Sequence, residues 1–274
     1  MSKAALTLMA VHAHPDDEAS TTGGVLARYS AEGIRTVVVT CTNGELGDGH
    51  GTSKPGDAGH DETWVVATRL RELETSCGIL GVTHLELLGY RDSGMMGWPQ
   101  NDASGSFWQT PVAAAAERLS ALIELYHPEV IVTYDANGFY GHPDHIQAHR
   151  VTLAAIEATP IPDKLYYPAI PKSAMAQFRE TLGAAGLQQT DGAEEDWDFA
   201  VADELISTTV DCSAYAAQQY AALEAHLSQG DGTFFTRLGL DLFSKLMSRE
   251  MFIRAYDRTG APTPEDDLFA GLRN

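Results

Sequence analysis

Cysteine is scarce and unpaired in this chain: Cys41, Cys77 and Cys212 are the only three in 274 residues, odd in number and far apart. That excludes a disulfide framework and a paired-thiolate zinc knuckle, and it suits a reducing compartment. Basic residues are also few, 18 Lys and Arg against 38 Asp and Glu, for a formal net charge of −20. Phosphate-rich surfaces would be repelled, so neither nucleic acid nor an anionic membrane is expected as a partner. Most surplus carboxylates are read as a dispersed, solvated surface. No apolar run approaches the length of a bilayer span. The amino-terminal residues lead straight into a strand-like run without a basic stretch, signal-type apolar core and cleavage site, so a cytoplasmic protein is expected. Repeats and low-complexity tracts are missing too.

What is present is ordinary globular composition, 44% hydrophobic and 20% charged, with apolar runs alternating with helix-period segments. Leu6–Val11, Thr36–Cys41 and Val130–Tyr134 are nearly continuous in apolar or β-branched residues, as strands buried on both faces are. Between them, helices are expected over Thr21–Glu32 ended by Gly33, Glu62–Leu80 ended by Gly81, and Pro111–Tyr126 with Thr110 as N-cap. In Glu62–Leu80 the apolar stripe is Val66, Leu70, Leu73, Cys77 and Leu80, which leaves Arg69, Arg71, Glu72 and Glu74 on other, mostly solvated faces. The alternation predicts an α/β fold: a Rossmann-like, mostly parallel sheet with helices on both faces and a smaller C-terminal α/β lobe. Residues 1–168 are expected to form the catalytic core and 169–274 to pack on and complete the same domain. In the second part the pattern weakens after a strand at Lys164–Tyr167. Gly183–Trp197 reads as a surface excursion, Glu204–Val210 as a strand, and Ala214–Leu227 and Leu238–Ile253 as helices. Two connections, Thr42–Asp61 with six glycines and Gly89–Gln109, are long enough to be functional.

The chemistry is concentrated in two clusters. His12-Ala13-His14-Pro15-Asp16-Asp17-Glu18 follows the first strand. Pro15 keeps His14 extended while Asp16 and Asp17 open the next helix, which throws His14 and Asp17 toward one point with Asp16 free beside them. An imidazole and a carboxylate suit a catalytic zinc or iron(II) that still lacks a ligand. Tyr140-Gly141-His142-Pro143-Asp144-His145, after a later strand, can supply it. If the first four strands take the order 3-2-1-4, both clusters lie beyond carboxyl ends at the switch point of the sheet. The first turn has no glycine-rich dinucleotide fingerprint, and His145 and His149 enclose Ile146 rather than the Glu of a zincin pair. His149 is read as a packed or supporting imidazole.

These residues resemble the PIG-L/LmbE-like family of metal-dependent N-deacetylases, whose motifs Ala-His-Pro-Asp-Asp-Glu and His-Pro-Asp-His stand here at Ala13–Glu18 and His142–His145. The likeness extends to Arg69 with Glu72, Arg91-Asp92-Ser93-Gly94-Met95, Thr133-Tyr134-Asp135, Ala221-Ala222-Leu223 with His226 and Gln229, and Asp267–Leu272. Asp48 stands where a Glu is usual, and Gln219 where a basic residue is.

The resemblance implies that His14, Asp17 and His145 bind the metal, zinc with iron(II) as the alternative, and that Asp16 is the general base. It further implies that a positively charged His142 stabilises the oxyanion, that Asp144 orients His142 and raises its pKa, and that Tyr140 donates to the same oxygen. The leaving amine would take its proton from Asp16 or His142. Arg69, Asp92 and Asp48 are the candidate substrate contacts, Asp92 doubling as a turn-capping residue. The expected reaction is removal of acetate from a small N-acetylglucosamine conjugate of the N-acetylglucosaminyl-inositol kind, by a soluble enzyme that is either a monomer or a homo-oligomer. The alternatives are an amidase acting on mycothiol S-conjugates, an antibiotic-tailoring deacetylase, or a sugar-binding pseudoenzyme. The amidase branch carries a Lys three residues after the motif's Glu, where this chain has Thr21, and every catalytic position is filled.

Overall fold

The computed structural model describes residues 6–187 and 199–273. Its described strands form a single sheet of seven in the order β3-β2-β1-β4-β5-β7-β6. The first five, β1 (Thr7–His12), β2 (Arg35–Thr42), β3 (His84–Tyr90), β4 (Val130–Val132) and β5 (Lys164–Pro168), pair in parallel. The C-terminal strands β6 (Thr208–Asp211) and β7 (Arg249–Asp257) continue the same sheet antiparallel, β7 lying against β5. The 3-2-1-4 order is therefore present, and β1 and β4 are direct neighbours with Ala10 beside Val132.

Alternate residues of the buried strands serve two cores, which is why their sequences read as continuous apolar runs. Leu8, Ala10 and Val38 face α1 (Asp17–Ala31), α2 (Glu62–Leu80), α7 (Ala216–Glu224) and α9 (Leu240–Leu246). Met9, Val11, Val37 and Val39 face α3 (Val112–Tyr126) and α5 (Pro143–Ala158), which pack on each other. A short turn, α4 (Gly138–Gly141), precedes α5, and α6 (Lys172–Ala184) and α8 (Gly230–Arg237) complete the described helices.

Several expectations need correction. α1 starts at Asp17, where the motif reading has Asp16 and Asp17 open a helix, and four residues ahead of the apolar period at Thr21, since its first turn is held by polar groups that periodicity does not register. Pro111, not Thr110, caps α3; the Thr110 hydroxyl donates to Ser106 O and closes the preceding turn instead. On α2 the buried face includes Val65, Arg69 and Ser76, while Val66 and Leu70 are half-buried, so Arg69 is not solvated. Leu238–Ile253 is not one helix: α9 ends at Leu246 and Arg249 begins β7, which lies between β5 and β6. The strand expected over Glu204–Val210 begins only at Thr208. α6 was not anticipated. The surface excursion expected over Gly183–Trp197 falls for the most part outside the described residues.

Candidate active site

The turn after β1 is pinned on both sides of the sheet. Ala13 N donates to the Tyr134 hydroxyl beyond β4 (3.0 Å), and Ala13 O accepts from Thr42 N at the end of β2 (2.8 Å). Asp16 then takes a left-handed backbone, φ 111° and ψ −28°, which an L-residue rarely adopts. Although it stands at the N-cap of α1, its side chain makes no capping hydrogen bond. Its carboxylate instead accepts from Arg69 Nη2 (3.0 Å), while Asp17 Oδ2 accepts from His14 N (2.8 Å) and turns to the histidines. Two adjacent carboxylates thus face different partners.

Asp17 Oδ2 lies 3.4 Å from His14 Nδ1 and 3.6 Å from His145 Nε2. Donors arranged tetrahedrally around zinc are about 3.3–3.4 Å apart, given bonds of ~2.0–2.1 Å. His145 is buried, and neither of its ring nitrogens has a hydrogen-bond partner among the described residues. Native interiors seldom leave such atoms unpaired, and a cation is what two imidazoles and a carboxylate at this spacing would satisfy. His14, His142 and His145 can bring ligand atoms within 4.8 Å of one another, and His14, Asp92, His142 and Asp144 form an overlapping group. The donor set fits a divalent metal.

Burial pushes the His145 imidazole down to about 4, so it is the neutral form a metal needs. Burial opposes ionisation of Asp17 too, but His145 and His14 more than offset it and hold the carboxyl well below its usual range. Around Asp16, loss of water raises the carboxyl, Arg69 opposes, Asp17 adds to the rise, and the result is about 6.

His142 departs from expectation. It caps α5, its Nδ1 accepting from Asp144 N (3.1 Å). The Asp144 carboxylate points elsewhere, accepting from Ser93 N (2.9 Å) and Ser93 Oγ and lying 3.3 Å from His14 Nε2. Asp144 therefore neither orients His142 through its carboxylate nor raises its pKa; burial, with the nearby His14 and His145, lowers it. A ring whose Nδ1 accepts a helix amide carries its one proton on Nε2.

The remaining candidates are spread around this centre. Arg69 is buried and, besides Asp16, binds Gly44 O (2.8 Å) and Pro15 O (2.6 Å), so it braces the turn that carries Asp16. Asp92 Oδ1 accepts from Gly94 N (2.8 Å), as turn chemistry requires, and also lies 3.8 Å from His14 Nε2. Asp48 sits farther out, paired with Lys54 Nζ (2.6 Å) and accepting from Gly230 N. Tyr140 is half-exposed, its ring edge-on to His145 at 5.0 Å. His149 Nδ1 donates to Tyr134 O (2.9 Å) and its ring packs on Tyr167, away from the metal-ligand candidates. Gln219 is buried behind α1, bonded to Ala19 O and Glu250, so that departure from the family pattern concerns packing.

Two neighbours were missed as functional residues. Ser93 holds Asp144, and Tyr134 stacks on His145 with ring centroids 4.0 Å apart. Tyr134 ends the third apolar run, and both it and Ser93 stand in segments that carry the family resemblance, the signals that could have found them.

The pattern of the PIG-L family, described as GlcNAc-PI de-N-acetylase, matches residues 9–156. The chain is 42% identical to a 1D-myo-inositol 2-acetamido-2-deoxy-alpha-D-glucopyranoside deacetylase of Acidothermus cellulolyticus, over 97% of this chain and 95% of that protein. Among solved structures it is similar to the N,N'-diacetylchitobiose deacetylase of Pyrococcus horikoshii, with TM-score 0.57 and 19% identity, covering 92% of this chain and 85% of that one. It is also similar to GalB, a 4-carboxy-2-hydroxymuconate hydratase of Pseudomonas putida KT2440, with TM-score 0.61 and 18% identity over 94% and 99%. At such identities the structures speak to the fold alone.

Proposed function

Because the chain belongs to the PIG-L family of GlcNAc-PI de-N-acetylases, we propose that it is a metal-dependent amidohydrolase that releases acetate from a small N-acetylglucosamine conjugate. The substrate we assign is 1D-myo-inositol 2-acetamido-2-deoxy-alpha-D-glucopyranoside or a close analogue, the compound named for its relatives. The observation that carries the chemistry is His145: a buried imidazole with no partner, 3.6 Å from the Asp17 carboxylate.

His14, Asp17 and His145 are the proposed ligands, and zinc the proposed ion, with iron(II) equally served by two histidines and a carboxylate. When bound there, the ion supplies Lewis acidity to a water molecule and to the amide carbonyl. The rest belongs to side chains. Asp16, with a carboxyl near 6, is mostly ionised at neutral pH and takes the proton of the attacking water. Nε2–H of His142 donates to the carbonyl oxygen as it gains negative charge, acting as a neutral donor. Giving that proton away would leave an imidazolate, so the departing amine is protonated by Asp16. Tyr140 is the proposed second donor and Asp92 and Asp48 the proposed contacts for the sugar and its aglycone, while the guanidinium of Arg69 is spent on Asp16 and the Gly44 and Pro15 carbonyls rather than on substrate.

Thr21, half-buried beside Ser20 on α1, offers no cation for a larger acyl group. That favours acetyl over a mycothiol S-conjugate. The cytoplasm is the proposed location, in keeping with three buried unpaired thiols; no described helix is long and apolar enough to cross a membrane.

Values of kcat/KM for N-acetylglucosaminyl-inositol, plain N-acetylglucosamine and a mycothiol S-conjugate, measured on one preparation, test this reading. The first should be the best substrate. A clear preference for the conjugate overturns the substrate, and no acetate from any of them overturns the activity.

A further inference from the structure

Glu18 closes the first motif, but neither the metal nor the reaction above uses it. Its side chain is fully buried with its acceptors occupied: Oε2 receives Asp16 N (2.9 Å), and Oε1 receives Ser76 Oγ from α2 and His226 Nε2 (2.7 Å) from the turn after α7. His226 is as deeply buried, and its Nδ1 has no hydrogen-bond partner among the described residues. The turn carrying it is itself tied down, Ser228 N donating to Glu72 (3.0 Å) and Gln229 bonding Asp48.

We propose that Glu18 and His226 are positioning residues that hold the Asp16 carboxylate in its working orientation. The inference rests on Asp16 being the base and concerns what keeps it there. An aspartate at a helix N-cap ordinarily swings its carboxylate onto the amides of the first turn. Asp16 does not, and its left-handed backbone is a conformation that survives only where the surroundings over-determine it. Glu18 is the over-determining group: it takes the Asp16 amide from behind, which keeps the residue turned and leaves its carboxylate to Arg69 and the cleft. An anion so deeply buried needs donors of its own, and His226 and Ser76 supply them from two other elements. Without Glu18, Asp16 relaxes into an ordinary cap and withdraws from the attacking water, while Asp17 keeps its bond to His14 N.

The test is a double-mutant cycle with metal analysis. Glu18→Ala should keep wild-type metal content and a KM within about threefold, but lose ~10²-fold in kcat, the scale for displacing a catalytic group by about an ångström. Glu18→Gln keeps an acceptor for the Asp16 amide and should return kcat to within about fivefold. In an Asp16→Ala background, Glu18→Ala should cost nothing more, because its effect passes through Asp16. Metal lost in step with activity, a Glu18→Gln enzyme as poor as Glu18→Ala, or additive losses in the cycle each overturn the proposal. If Glu18→Ala does not fold, His226→Phe decides with Glu18→Gln: kcat should fall about tenfold with KM and metal unchanged, and wild-type kcat rejects the relay. Wild-type turnover by Asp16→Ala itself would instead sink the base assignment, and this inference with it.

Discussion

Asp16 and Asp17 are adjacent, yet the left-handed turn at Asp16 sends one carboxylate to Arg69 and the other to His14 and His145. Their substitutions should therefore separate binding from chemistry. Asp16→Ala should retain the metal and lose at least ~10²-fold in kcat, the lower scale for a general base. Asp17→Ala and His145→Ala should lose the metal first. Elemental analysis after gentle purification and zinc reconstitution checks this; full occupancy in both ligand variants would reject the ligand set. The neutral His142 is a residue-scale matter too. Its Nδ1 is committed to the α5 amide of Asp144, as a histidine at the cap before a helix-opening Pro143 can be, and that local bond leaves Nε2 as the nitrogen facing the site.

At the scale of elements, α5 delivers His142 and His145 together, and the turn in front of it sets where the helix begins. Gly138 has φ 64°, and a Cβ there would sit 2.7 Å from Ile146 N and 2.9 Å from His145 Cβ, against backbone that cannot give way. Gly138→Ala should push the first turn of α5 outward and weaken metal affinity at least ~10-fold, as loss of a ligand's support does. Competition with a chelator of known affinity measures it, with circular dichroism to confirm that the helix persists. Unchanged affinity would mean that α4 adjusts without moving His145. α2 teaches a related lesson. Its length was legible from its apolar spacing and Gly81, but the burial of Arg69 was not, because a cation on an apolar face is compensated only by carbonyls and a carboxylate contributed from other loops.

For the molecule as a whole, the last residues are fastened to the amino-terminal end of the sheet, opposite the cleft. Lys164, fully buried, pairs with Glu265 (2.6 Å) and Ala270 O (2.8 Å), and Glu265 also takes Arg254, Tyr166 and Thr208. Glu265→Ala strands the Lys164 charge and should cost about 3–5 kcal/mol in urea unfolding, with kcat of the folded fraction unchanged. A loss under ~1 kcal/mol would show the cluster to be dispensable. Glu250, also buried, ties β7 to α1 through Gly24 N (2.7 Å) and Val25 N (2.9 Å), and burial raises its carboxyl from 4.5 to about 7. With the folded value above the unfolded one, the folded state binds the proton more tightly. Its contribution is complete below about pH 4.5 and is lost as pH rises through about 7, a swing on the order of 3 kcal/mol. Thermal unfolding across pH 5–8 should show a flatter slope for Glu250→Gln than for wild type, whatever the absolute stabilities.

The sequence by itself determined the alternating α/β order, the parallel core with its 3-2-1-4 strands, and the two motifs. These are local signals: apolar runs, Gly and Pro punctuation, and histidines and carboxylates a few positions apart at strand ends. The C-terminal third was read less well. Arg249–Ile253 is apolar enough for either a helix or a strand, and pairing with β5 and β6 selects the strand. Only the tertiary structure decided where the Asp144 carboxylate points and that His226 stands behind Glu18 across 208 residues of chain. The reason is physical. A motif fixes which donors are near one another along the backbone, but a hydrogen bond is satisfied by whichever partner the packed fold brings within reach, and that partner carries no local mark.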